Sequence, residues 1–189
     1  MSDNVCPPCN NNCNQETLNE LLKYDPETGK LFWCLRDRKW FATDGSCNAW
    51  NVRFAGKEAF TANRNGYLCG AIFRKTHQAH RIIWILCNGE IPNGMQIDHI
   101  NGDKLNNRLA NLRIATNAEN CCNRRKSDRN TSGVKGVSWH KQMQKWRACI
   151  RVEGKLNHLG LFASIADAEA AYLKAAEQNQ GQFAYHRRG

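Results

Sequence analysis

No apolar run in this chain approaches the ~20 residues that a membrane span needs. The longest, Ile82-Ile-Trp-Ile-Leu-Cys87, has the length of a core helix segment. The opening residues Met1-Ser-Asp-Asn-Val-Cys6 lack a basic segment followed by an apolar one, so no secretory signal is expected. No long heptad offers a dimerisation seam, and no long basic amphipathic helix offers a membrane-surface anchor. The expectation is a monomer with no membrane partner, at work in a reducing cytoplasm. Acidic residues are scarce as well: 17 Asp+Glu face 27 Lys+Arg, a formal charge of +10.

That charge is uneven. Residues 1–120 hold 14 basic and 12 acidic side chains, whereas residues 121–189 hold 13 and 5. A local excess of that size attracts a polyanion and makes binding salt-dependent. Cysteine is abundant, with ten residues. A disulfide framework conflicts with the missing secretory signal. Cys6, Cys9 and Cys13 form a C-x2-C-x3-C cluster. A structural zinc wants four ligands and no fourth lies nearby in sequence, so zinc is not expected there. Residues 1–16 are expected to be a disordered tail. Cys34, Cys47, Cys69, Cys87 and Cys149 are scattered. Cys121 and Cys122 are adjacent, which hinders joint chelation.

Helical spacing of Leu18, Leu21 and Leu22 predicts a helix over 17–24, capped by Thr17. Residues 25–29 read as a turn, Lys30 to Cys34 as a strand, and 35–53 as irregular. Lys57–Thr61 and Tyr67–Phe73 read as strands joined through Asn63-Arg-Asn-Gly66. His77 to Cys87 has apolar residues at 79, 82, 83 and 86, a helical period; His80 on it reads as a packed structural residue. Thr116-Asn-Ala-Glu119 is a capping box that opens a helix to about Arg125. Three strands follow, 136–140, 145–152 and 156–162. In the second, Trp146, Ala148, Ile150 and Val152 face one way and Lys145, Arg147, Cys149 and Arg151 the other. An alanine-rich helix over 165–177, capped by Ser164, would cover the apolar face.

The densest chemistry lies between Gln96 and Asn120. Asp98-His99 at a strand end would point to opposite faces, one toward a metal and one toward a nucleophile. A carboxylate, an amide oxygen, water and phosphate oxygens suit Mg²⁺, and a neutral imidazole near the water can serve as general base. On residue chemistry alone, a turn at Asp98-His99 with asparagines as caps remains open.

Asp98-His99-Ile-Asn-Gly, then Asn107-Arg108, Asn111-Leu112-Arg113, Thr116 and Asn120, resembles the HNH nuclease motif in the His-Asn-Asn form of phage and intron homing endonucleases. The resemblance implies a ββα-metal finger around one divalent ion. It makes His99 the general base, Asp98 and Asn120 the metal ligands, and Asn111 the asparagine that orients the histidine and pins the loop. Asn120 stands where many relatives have a histidine, which points to a hard ion, Mg²⁺ or Mn²⁺. The stretch from Leu18 to Pro92 is similar to the N-terminal part of phage HNH endonucleases, through residues 24–33 and 79–84. For a phage-encoded chain the compartment would be the host cytoplasm.

Residues 131–180 resemble the Apetala-two (ethylene-response-factor) DNA-binding domain, through Gly136-Val137, Lys145-Trp146, Ile150-Arg151, Leu159-Gly160, Phe162 and the alanine-rich helix. That family inserts a three-stranded sheet into the major groove, where arginine can read guanine edges. The resemblance makes Lys135, Ser138, His140, Arg147, Cys149, Arg151, Leu156 and His158 groove-facing, with Lys135, Lys141 and Lys145 on phosphates. Ser138, Cys149, Leu156 and His158 depart from the plant pattern, so the target sequence is not inherited.

The expected fold class is α+β: a tail over 1–16, a small mixed region over 17–92, a ββα-metal finger over 93–129, and over 130–189 a three-stranded antiparallel sheet packed on one helix. The expected function is a metal-dependent, site-selective endonuclease of the homing type that nicks double-stranded DNA. The alternative is a non-catalytic DNA-binding protein with a degenerate finger.

Overall fold

The computed structural model describes residues 13–124, 126 and 130–184. The expected tail therefore lies almost wholly outside the described residues. The chain has the mixed α+β architecture anticipated, in two compact units, Met1–Ile114 and Ala115–Gly189.

The first unit opens with α1 (Gln15–Leu21), then β1 (Leu22–Asp25) and β2 (Lys30–Trp33) as an antiparallel hairpin. The cap of α1 is Asn14, whose side chain accepts from the Thr17 amide at 3.0 Å, so Thr17 is inside the helix and not its cap. Residues 35–53 are not irregular. They contain a 3-10 turn (Arg38–Trp40) and α2 (Asp44–Phe54), which starts at a Thr43/Ser46 capping box. That helix has no apolar stripe for a periodicity argument to detect; its rings instead cluster around Trp50, which packs against Trp33, Phe41 and Phe54.

The strand expected over 57–61 is confined to residues 58–59 and does not pair with the strand expected over 67–73. β3 (Glu58–Ala59) adds to β2, while β4 (Ala62–Arg64) pairs with β5 (Tyr67–Ile72), and β6 (Lys75–Gln78) pairs with β5 on its other side. Phe60 adopts a φ of 59° between β3 and β4, a break that hydrophobic alternation does not encode. α3 (Ala79–Asn88) follows, with His77 left on β6. Leu18 and Leu21 of α1 and Ile82 and Ile83 of α3 lie in one core with Leu31, Ile72, Ile97 and Leu112. β7 (Gln96–His99) and β8 (Leu112–Ala115) form a two-stranded sheet.

The second unit starts with α4 (Asn117–Cys122), shorter than expected but with the capping box in both directions: the Glu119 amide donates to Thr116 Oγ1 at 3.2 Å and the Thr116 amide to Glu119 Oε2 at 2.7 Å. β9 (Val137–His140), β10 (Lys145–Val152) and β11 (Lys155–Phe162) form an antiparallel sheet in the order β11-β10-β9. α5 (Ile165–Gln180), capped by Ser164, covers one face. Val137, Ala148 and Ile150 of the sheet are buried against Ala168, Tyr172 and Ala176 of the helix. Alanine on the helix lets it approach the sheet closely. Among the described residues, no helix is long and apolar enough to cross a membrane.

Candidate active site

Asp98 and His99 end β7, and both side chains are buried, at 6% and 4% exposure. Alternation along the strand sends them to different neighbours. Asp98 Oδ2 accepts from Arg113 Nε at 2.9 Å, and Arg113 Nη2 lies 2.8 Å from the same oxygen. Arg113 sits on the neighbouring strand β8, so pairing of the two strands brings the charges together. A carboxylate this deep requires such a partner.

His99 faces the loop between the strands. Its Nε2 is 2.9 Å from Asn107 Oδ1. An amide oxygen accepts only, so Nε2 carries the proton and the basic lone pair belongs to Nδ1. Burial pushes the imidazole below its ordinary range, against the raising effects of Asn107 and Asp98. The ring is therefore neutral near pH 7, the form a general base needs. His80, from α3, stands edge-on to it with ring centres 4.9 Å apart, and Tyr67 from β5 lies 5.2 Å from His80 and 6.1 Å from His99. Lys104 Nζ sits 4.3 Å over the Tyr67 ring.

The loop over 100–108 is held by asparagine and aspartate side chains. Asn111 Oδ1 accepts from the Asn101 amide at 3.0 Å, and its Nδ2 donates to the Asn106 carbonyl at 2.7 Å. Asn111 thus ties Asn101 and Asn106 of the loop together. The histidine ring donates to Asn107, a buried residue at 1% exposure. Residues 24–29 also bear on this loop. The Leu109 amide donates to the Tyr24 hydroxyl at 2.8 Å, and Arg108 Nε donates to the Glu27 carbonyl at 2.7 Å. A Cβ at Gly29 would lie 2.7 Å from the Arg108 nitrogen, and φ there is +74°, so glycine alone fits. Asn107, Arg113, Tyr24 and His80 are the residues whose part in the site the sequence did not reveal. Asn107 stood inside the matched Asn107-Arg108 element and Arg113 inside the matched Asn111-Leu112-Arg113; nothing in one dimension assigned their partners.

His80 is held neutral by burial, then by the neighbouring His99 and Arg81, which push it down to about 3. An unfolded histidine titrates near 6.5. Between those values the unfolded chain binds the extra proton, so this contribution to stability is present above about pH 6.5 and is lost as pH falls toward 3. His80→Gln should flatten the decline of the first unit's urea midpoint over that window; an unchanged pH profile would reject the assignment.

Metal chemistry is constrained by the donor set. Among the described residues, no three His, Cys, Asp or Glu side chains converge. The expected ligands Asp98 and Asn120 are a carboxylate and an amide, donor types that suit a hard ion which keeps waters. Asp98 belongs to the first unit; Asn120, half-buried in α4, belongs to the second.

On the C-terminal sheet, register places Arg147 beside Ser138 and Leu161, Lys145 beside His140, Cys149 beside His158, and Arg151 beside Leu156. These residues share the face that α5 leaves open. Arg147 Nη2 donates to Ser138 Oγ at 3.3 Å, Arg151 Nη1 to the Gly154 carbonyl at 2.7 Å, and Cys149 Sγ lies 3.3 Å from His158 Nδ1. Lys141, in the β9–β10 turn, and Lys145 are exposed. Lys135 differs from its expected phosphate contact: half-buried, its ammonium donates to the Cys122 and Arg124 carbonyls past the end of α4. A cation there satisfies the orphan carbonyls of a helix end. Trp146 is half-buried and packs edge-on against Trp139, which is 41% exposed.

A family model described as HNH endonuclease matches residues 77–121. Protein 3.8 of Escherichia phage T7 is 39% identical over 115 residues, 61% of this chain and 94% of that protein. The uncharacterized HNH endonuclease L560 of Acanthamoeba polyphaga mimivirus is 32% identical over 108 residues, 57% of this chain and 55% of that protein. No solved structure matches the chain significantly.

Proposed function

We propose that this chain, whose residues 77–121 match a family model described as HNH endonuclease, hydrolyses phosphodiester bonds of double-stranded DNA as a metal-dependent, site-selective nicking enzyme of the homing type, active as a monomer. The carrying observation is the buried Asp98-His99 pair, with Nε2 of the histidine fixed by Asn107. His99 Nδ1 would take a proton from the attacking water. Asn107 orients the ring, Asn111 holds the loop that presents Asn107, and Arg113 fixes the Asp98 carboxylate. Asp98 and Asn120 would hold one Mg²⁺ or Mn²⁺. Such an ion, when bound, supplies neutralisation of charge on the phosphate and leaving oxygen.

The open sheet face of the second unit is the proposed reader of the site, in the manner of an Apetala-two-like domain. Arg147 and Arg151 are its base-reading candidates, Ser138, His140 and His158 flank them, and Lys141 and Lys145 would meet phosphates. The two functions separate in one experiment. Supercoiled plasmid is incubated with the full chain in Mg²⁺ or EDTA, and duplex binding is measured across salt concentrations. Metal-dependent conversion to open circle is the expected result. Salt-sensitive binding without conversion in either Mg²⁺ or Mn²⁺ would overturn the enzyme in favour of a DNA-binding protein with a degenerate finger.

A further inference from the structure

No Asp or Glu stands between residues 59 and 89, although Arg64, Arg74, Lys75 and Arg81 fall there. The stretch spans β4, β5, β6 and α3. Elsewhere the first unit pairs its cations, as Lys30–Glu58, Arg38–Asp44, Lys39–Glu20 and Arg113–Asp98. Among the described residues, Arg64 and Arg81 have no such carboxylate. Register sets Arg64 opposite Tyr67 and Cys69 opposite Gln78, so these side chains share one face of the sheet. Arg81 of α3 joins them in lining a single cleft. Tyr67 links that cleft to His99, with ring centres 6.1 Å apart. Lys104 adds a third cation: its Nζ sits 4.3 Å over the Tyr67 ring and donates to the Asn65 carbonyl at 3.4 Å. We propose that this cleft holds the sugar-phosphate backbone of DNA beside the point of cleavage, with Arg64 and Arg81 on its phosphates.

The inference rests on His99 as the proposed base, and it adds a DNA contact within the first unit to the sheet face of the second. Arg81 is half-buried and Arg64 exposed. The guanidinium fork suits a phosphate, which it can meet with two parallel hydrogen bonds. The Thr76 hydroxyl and the Gln78 amide line the same cleft, and neutral donors of these kinds also contact DNA phosphates. Three cations about Tyr67 and its cleft exceed the charge of one phosphodiester, which favours a polymer over a small anion. Residues 1–120, with 14 basic and 12 acidic side chains, are nearly balanced, so the overall charge conceals this local excess. A backbone held here is positioned for attack beside His99. Such a hold acts on substrate and transition state alike, so it belongs in KM and not in kcat.

The test uses the full chain and a labelled duplex of scrambled sequence, because phosphate contacts are blind to sequence. Binding is measured across salt concentrations in EDTA, and nicking of supercoiled plasmid is followed in Mg²⁺. Arg64→Gln/Arg81→Gln should lower the slope of log affinity against log salt by about two, one for each phosphate contact. It should also raise the KM for plasmid by about tenfold with kcat little changed. Arg64→Lys/Arg81→Lys, which keeps both charges, should restore most of the slope. Arg53→Gln/Lys57→Gln, which removes the same charge outside the cleft, should change neither slope nor KM. Circular dichroism checks that each variant keeps the fold. An unchanged slope in Arg64→Gln/Arg81→Gln, or an equal fall in Arg53→Gln/Lys57→Gln, would overturn the site. A slope that falls as expected in a chain that nicks no plasmid would uphold the phosphate site and refute the nuclease reading instead.

Discussion

His99→Ala should abolish plasmid nicking at any Mg²⁺ concentration while duplex affinity stays within twofold. The imidazole is buried against His80 and Tyr67, with its Nε2 hydrogen-bonded to Asn107. On the proposed role, its removal takes away proton transfer from water, typically worth ~10²–10⁴-fold. The cavity left behind lowers stability as well, so the measurement is made at a temperature well below unfolding. Asn107→Ala should give a smaller loss, because the base remains and only its tautomer and orientation are released. Asn107→Asp should recover part of the rate, because a carboxylate oxygen still accepts from Nε2. Equal loss of binding and cleavage in His99→Ala would show that His99 acts through structure instead of chemistry.

Arg113→Met should destabilise the first unit by about 3–5 kcal/mol, the range for breaking a buried ion pair by removal of one partner. Asp98 is 6% and Arg113 12% exposed at the side chain, so the orphaned carboxylate has little water to turn to. Asp98→Asn/Arg113→Met should recover much of that loss, because no buried charge is then left uncompensated. Chemical denaturation of the two single variants and the double variant measures the coupling. A double variant whose loss equals the sum of the singles would mean that the pair contributes no coupling. Neither variant should cleave, since Asp98 is the proposed metal ligand and Arg113 holds it.

The sequence by itself determined the α+β class, the Thr116 box, and the alternation of β10. Each is a local signal: a cap and its partner three residues on, or a period of two across a half-buried sheet. α2 and the break at Phe60 escaped because neither leaves a hydrophobic period. Tertiary structure alone decided which atoms meet. The pairing of β7 with β8 put Arg113 on Asp98; loop closure put Asn107, and not Asn111, on the His99 ring. Residues 25–29, a turn when read alone, proved with Tyr24 before them to support the loop over 100–108, through the Tyr24 hydroxyl, the Glu27 carbonyl and a glycine with room for no side chain. Lys135, equivalent to its neighbours as a charge in a basic segment, was assigned to helix carbonyls only by the fold. The physical reason is common to all of these: residue type and spacing state what a side chain is able to bond, whereas burial of a shared core selects which of its distant partners lies within 3 Å.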